Sequence, residues 1–112
     1  MPQVDAGTSD RDAAALFSAL GDPTRLSLLT SLSDGRISSI SSLSGGTELT
    51  RQAVTKHLIV LEKAGLVESI KVGRESHYSF RRDGIDIMRG YLDGVSRQWD
   101  DALERLRAFV ER

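Results

Sequence analysis

Thr50, Arg51, Gln52, Thr55 and Lys56 fall within the first two turns of one amphipathic stretch, and these side chains suit recognition better than bond making. Arg can donate two hydrogen bonds to guanine, and Gln can pair with adenine. Thr and Lys suit phosphate contacts, which fix register rather than read sequence. No acid stands among them, whereas a merely solvated helix face tends to alternate Glu and Lys. Arg51 and Gln52 are therefore the candidates for base edges, with Thr50, Thr55 and Lys56 for the DNA backbone. His57 joins the DNA-facing set. Standing one position before Leu58, it is expected to be half-buried and bonded to backbone or to a phosphate, ahead of any sensing role.

These side chains need a helix to carry them. In "ELTRQAVTKHLIVLEKAGLV", residues 48 to 67, the residues Val54, Leu58, Leu61 and Gly65 form one stripe, as a buried helix face requires. Thr50 is placed to cap that helix and Gly65 to end it in the left-handed conformation. The free amides and dipole at its start favour phosphate. The following "LVESIKVGRESHYSF" alternates Ile70 and Val72, then Tyr78 and Phe80, across Gly73-Arg74-Glu75-Ser76. That pattern predicts a two-stranded hairpin with a basic tip. Arg74 suits the minor groove; Lys71, Arg81 and Arg82 suit phosphates.

The charge distribution agrees. The whole chain of 112 residues carries a net charge of −1, but between Arg51 and Arg82 seven basic residues face three acids, a local +4. A basic centre between acidic flanks is more informative than the total.

Upstream, residues 1–8 are small and polar and are expected to be a disordered tail, with Ser9 capping a helix through "DRDAAALFSAL". Ala13, Leu16, Phe17 and Leu20 form its stripe. Asp22-Pro23 is a strong start signal for a second helix, "PTRLSLLTSL", expected to bury Leu26, Leu29 and Leu32 and to stop at Asp34-Gly35. Ile37, Ile40 and Leu43 have helical spacing, though five serines and Gly45-Gly46 shorten any helix there. The last helix is expected from about Gly84 to Val110. Met88, Leu92, Val95, Trp99, Leu103, Leu106 and Val110 line it over roughly 40 Å, more than so small a domain can cover. Such a stripe needs a partner, and a twofold dimer is the commonest closed solution. Leu16, Phe17, Leu92, Val95, Trp99, Leu103 and Leu106 are the expected interface, with Trp99 a packing residue rather than part of a cofactor box.

The fold expected is therefore mainly α with a small β-hairpin wing: a winged helix-turn-helix domain over residues 9–112 that dimerises through its first and last helices. Other classes find less support. The chain has no nucleophile elbow, phosphate-cradling glycine loop or paired His-carboxylate spacing, so an enzyme is not expected. Without cysteine there is no disulfide, thiol switch or thiolate metal site. No cofactor and no metal are expected. No run approaches the roughly 18 apolar residues of a membrane span. "MPQVDAGTSD" does not read as a secretory leader, so the expected location is cytoplasmic.

"ALGDPTRLSLLTSL", "LTRQAVTKHLIVLEKAGLV" and "GRESHYSF" together resemble the ArsR/SmtB family of bacterial transcriptional repressors, over roughly residues 12 to 110. The family pattern of Ser/Thr, two variable polar residues, a small residue, Val, Ser/Thr, Lys/Arg, His and Leu appears as Thr50 through Leu58. Gly-Asp-Pro-Thr-Arg at residues 21–25 is a second match. The resemblance implies a winged-helix homodimer whose first and last helices form the interface. It also brings out departures. Where many members carry metal-binding cysteines in the third helix, this chain has Ser39 and Ser41, and hydroxyls do not replace thiolates for soft ions. Residues 84–112 hold no histidine for the family's other metal site. The chain is thus similar to a branch without the usual metal ligands.

The function expected is a homodimeric repressor binding double-stranded DNA at an inverted-repeat operator. A small-molecule inducer of unknown identity stays open. The alternative is a winged-helix module that binds protein or RNA instead of an operator.

Overall fold

The structure is a computed structural model that describes the backbone of residues 2–112 and the side chains of residues 11–112. The backbone of residues 2–8, expected as a disordered tail, is helical, and Ser9, expected as a cap, lies inside the first helix rather than at its start. The first helix, α1 (Pro2–Leu20), ends where Gly21 follows. Asp22 then caps α2 (Pro23–Leu32), its Oδ2 accepting from the Arg25 amide at 3.0 Å, with Pro23 in the first turn where no donor is needed.

The buried face of α2 is Leu28, Leu29 and Leu32, whereas Leu26, expected inside, stands 49% exposed. The reason is Arg25. Its guanidinium turns inward and donates to the carbonyls of Ala19 and Ser18 at the end of α1. Positions 25, 28, 29 and 32 then form the inner stripe, and Leu26 lies about 100° away from Arg25 around the helix.

The serine-rich run is part strand and part helix. Ser38–Ser39 form a two-residue strand, β1, and α3 (Ile40–Gly45) follows, with Ser39 Oγ accepting from the Ser42 amide at 3.0 Å. Ile37 is therefore outside the helix and exposed, contrary to its apparent spacing. Next, α4 (Arg51–Lys63) starts at Thr50 as expected and buries Val54, Leu58 and Leu61 completely. Gly65, at φ 83°, turns the chain out of it.

The wing consists of β2 (Val67–Val72) and β3 (Glu75–Phe80), paired antiparallel from Val67 with Phe80 to Val72 with Glu75. The turn is only Gly73-Arg74, with Gly73 at φ 64°, so Glu75 and Ser76 belong to the strand rather than to the expected four-residue tip. Ser38 and Ser39 pair with Tyr78 and His77, giving the sheet order β1-β3-β2.

Finally, α5 (Arg82–Glu111) begins two residues before Gly84. Gly84 is buried, and a Cβ there would lie 2.7 Å from Leu16 Cδ2 and 2.9 Å from Leu66 Cδ2. The missing side chain lets the first turn of α5 rest on α1 and on the end of α4. Leu16 is accordingly in the chain's own core with Leu28, Leu32, Leu58 and Met88, and is not free for a partner as its place in the stripe suggested. Beyond Met88 the apolar face of α5 is largely exposed among the described residues, from Leu92 and Val95 to Trp99, Leu103 and Leu106.

Candidate nucleic-acid interface

The cap fixes which groups point outward at the start of α4. Thr50 Oγ1 accepts from the Ala53 amide at 3.1 Å, and the Thr50 carbonyl accepts from the Val54 amide at 3.0 Å. The amides of Arg51 and Gln52 remain without an acceptor among the described residues, a helix start open to an anion. Because Thr50 Oγ1 acts as acceptor in the cap, its hydroxyl hydrogen is still available outward.

Arg51, Gln52, Thr55 and Lys56 come together around one shallow hollow, with Ile40 of α3 as its apolar member. Arg51, Gln52 and Lys56 are exposed, and the first turn holds no acid. Thr55 differs: its hydroxyl donates to the Arg51 carbonyl at 2.7 Å. That proton serves the helix itself, so Thr55 offers a phosphate little beyond shape.

His57 is not on this edge. Its side chain is 24% exposed and turns toward α2, with Nδ1 3.4 Å from Arg25 Nη1 and 4.0 Å from Asp22 Oδ2. Arginine only donates, so in the neutral ring Nδ1 is the acceptor of this contact and the proton sits on Nε2, whereas a protonated ring keeps only the approach to Asp22. Arg25 thereby joins the end of α1, the start of α2 and the middle of α4. The Arg25 amide, with the Arg25 and His57 charges adding less, holds the Asp22 carboxyl below its ordinary pKa of 3.8. Sequence reasoning passed over Arg25. The available signal was its place three residues after a capping Asp, on the inner stripe of α2.

In the wing, Arg74 occupies the turn, and Lys71 lies opposite Ser76 beside it. Among the described residues, none of Arg51, Lys56, Lys71 and Arg74 is in an ion pair. Arg81 is elsewhere. It follows β3 at the base of the hairpin, its amide donating to the Leu66 carbonyl at 2.8 Å and its guanidinium to Asp83. A six-residue strand puts that base roughly 20 Å from the tip. Arg82 likewise pairs with Asp86 within α5, at 3.2 Å.

A second surface is apolar. Phe17 of α1 meets Tyr91 of α5 edge-on, centroids 5.9 Å apart, and both rings are partly open to solvent. Below them Leu92, Val95, Trp99, Leu103 and Leu106 are exposed along α5, joined by Phe109, which the sequence reading did not single out. At the family's third-helix metal positions, Ser39 caps α3 and Ser41 is exposed. Among the described residues no three His, Cys, Asp or Glu side chains gather, and no helix is long and apolar enough to cross a membrane.

Residues 22–69 match the family described as bacterial regulatory protein, arsR family. The uncharacterised HTH-type transcriptional regulator YuzN of Bacillus subtilis is 35% identical over 86 residues, covering 70% of this chain and 94% of that protein. A transcriptional repressor SmtB homolog of Synechocystis is 32% identical over 78 residues, 70% of this chain and 58% of its own length. The solved structure of an ArsR-like transcriptional regulator from Rhodococcus superposes with a TM-score of 0.80 at 38% identity, covering 92% of this chain and 95% of that one.

Proposed function

The chain belongs to the ArsR family and is a DNA-binding transcriptional regulator, and from that premise we propose that it is a homodimeric repressor of an inverted-repeat operator. The hollow at the start of α4 carries this reading. There Arg51 and Gln52 stand exposed beside Lys56, without an acid in the first turn.

A helix entering the major groove reads base edges with its N-terminal residues. Arg51 is assigned to guanine and Gln52 to adenine. The Thr50 hydroxyl, Lys56 and the two open amides take phosphates, while Lys71 and Arg74 extend the contact from the wing. His57 serves by holding α4 against Arg25, and Thr55 by packing. Arg81 must leave Asp83 to reach a phosphate and is the weakest member of the set. The uncovered stripe of α5, with Phe17, is assigned to a second copy of the chain. Twofold pairing then offers two α4 edges to grooves one helical turn, about 34 Å, or a multiple apart.

Repression follows if occupancy excludes polymerase from the promoter, in the cytoplasm where the duplex lies. The resemblance to a protein named as a repressor supports that sign.

The test is selection of bound duplexes from random sequence. An inverted repeat is expected to enrich, and the Arg51→Ala/Gln52→Ala variant is expected to stay dimeric while losing discrimination, by about 1–3 kcal/mol per bidentate contact. Unchanged discrimination in that variant would remove the assignment.

A further inference from the structure

While α3 turns Ile40 to the reading hollow, it turns Ser42 and Leu43 to a second, unassigned cavity of about 430 Å³. This cavity lies between α2, β1, α3 and the loop leading to Thr50. We infer that it is an effector site for a small uncharged molecule with one apolar face and hydrogen-bonding oxygens on the other, coupled to operator binding. The coupling rests on the proposed function; the binding does not.

Three observations set the ligand class. Leu28, Leu43 and Leu49 supply apolar wall, and the volume is in the range of small-molecule pockets. Thr24, Ser27, Ser38 and Ser42 also line it, and among the described residues their hydroxyls make no hydrogen bond. By contrast, Ser31 donates to the Ser27 carbonyl at 3.1 Å, and Thr47 Oγ1 accepts from the Leu49 amide at 2.9 Å. Ser38 is only 8% exposed, yet no sealed side-chain oxygen lacks a partner among the described residues, so its hydroxyl keeps some open surface, and Ser38 lines the cavity. Hydroxyls both donate and accept, which suits alcohols, ethers and carbonyls alike. The third observation is charge. Arg36 is the charged side chain of the wall, and Asp34 neutralises it through contacts at 2.7 and 2.9 Å. A carboxylate or phosphate therefore finds no unpaired cation there.

The cavity touches the part of the fold that aims α4. Its wall includes Gly46, Thr47 and Leu49, and Leu49 directly precedes the Thr50 cap. The six residues of α3 have a serine cap and one buried side chain, Leu43, while Ile40 and Leu49 are only partly buried against the core, so α3 and this loop belong to the lower end of local stability. A ligand bridging α2, α3 and the loop binds one arrangement of them better than another, and only such a difference shifts an equilibrium.

The experiment is an amide NMR titration of the whole protein with two neutral fragments, phenyl glucoside and 1,2-hexanediol, against phenyl phosphate and benzoate. The neutral fragments are expected to give saturable shifts at Ser27, Ser42, Gly46 and Thr47, and the anions none. Ser27→Ala/Ser42→Ala, with its spectrum otherwise intact, is expected to weaken neutral binding about tenfold. Absence of saturable shifts from both neutral fragments, preference for the anions, or full binding to the double variant would overturn the site. With the selected operator added, fragment affinity is expected to change about fivefold or more, and operator affinity by the same factor. Binding without that change would overturn the coupling. Failure to select any operator would instead strike the proposed function, and the fragment titration would still decide the cavity.

Discussion

Two helices of this molecule share one sequence pattern and use it in opposite ways. In α4, Val54, Leu58 and Leu61 recur at steps of four and three and are completely buried in the chain's own core. In α5, Leu92, Val95, Trp99 and Leu106 recur with the same spacing, yet all stand largely exposed, Trp99 at 63%. Apolar periodicity says that a face needs cover; it does not say which chain supplies it. The helix satisfied within its own fold can present its other face as a reading edge. The unsatisfied one is free to pair.

The sharpest way to break this contrast is to charge the α5 stripe. Leu103→Glu/Leu106→Glu is expected to leave a folded monomer by sedimentation, and operator affinity is expected to fall by about 10²–10⁴ as the linked second site is lost. A persistent dimer would place the interface elsewhere. The next effect separates the two stripes by stability. Leu58→Ala is expected to cost about 2–5 kcal/mol in denaturant unfolding, because it opens a cavity in a closed core. Leu106→Ala is expected instead to act mainly through the concentration dependence of Tm. Equal losses for both at high dilution would mean that α5 is covered within the monomer.

Smaller effects belong to the caps. Thr50→Ala is expected to lower stability by about 1 kcal/mol, read from thermal melts, and to weaken DNA binding as the start of α4 frays. The smallest concerns pH. The folded pKa of Asp22 lies below 3.8, so its contribution is complete above that value and is lost as pH falls through the depressed one. Urea midpoints taken below pH 5 should therefore fall less steeply in Asp22→Ala than in the parent chain. Parallel curves would deny the cap its electrostatic part.

Much of this was legible in the residues because the signals were local. Thr50 and Asp22 announce helix starts by their own chemistry, and Gly73-Arg74 between alternating residues announces a hairpin. Other features depend on contacts distant in sequence. A two-residue strand at Ser38–Ser39 has no periodicity, and its extended form comes from pairing with Tyr78 and His77. Leu26 looked buried until Arg25 took the inner position. Leu16 looked like interface until Gly84 brought α5 directly onto it. Within the site, Arg51, Gln52 and Lys56 stand together as the spacing implied, whereas His57 faces Arg25 and Arg81 sits at the far end of the wing. Side chains that leave the edge do so for partners that no local window contains.

The most direct measurement is the stoichiometry of the selected duplex at saturation, by sedimentation or native mass spectrometry, with and without one half-site. Two chains on the intact duplex, and a large loss of affinity when either half-site is scrambled, are the predicted results. One chain per duplex, or equal affinity after half the repeat is destroyed, would contradict paired α4 edges held together by α5.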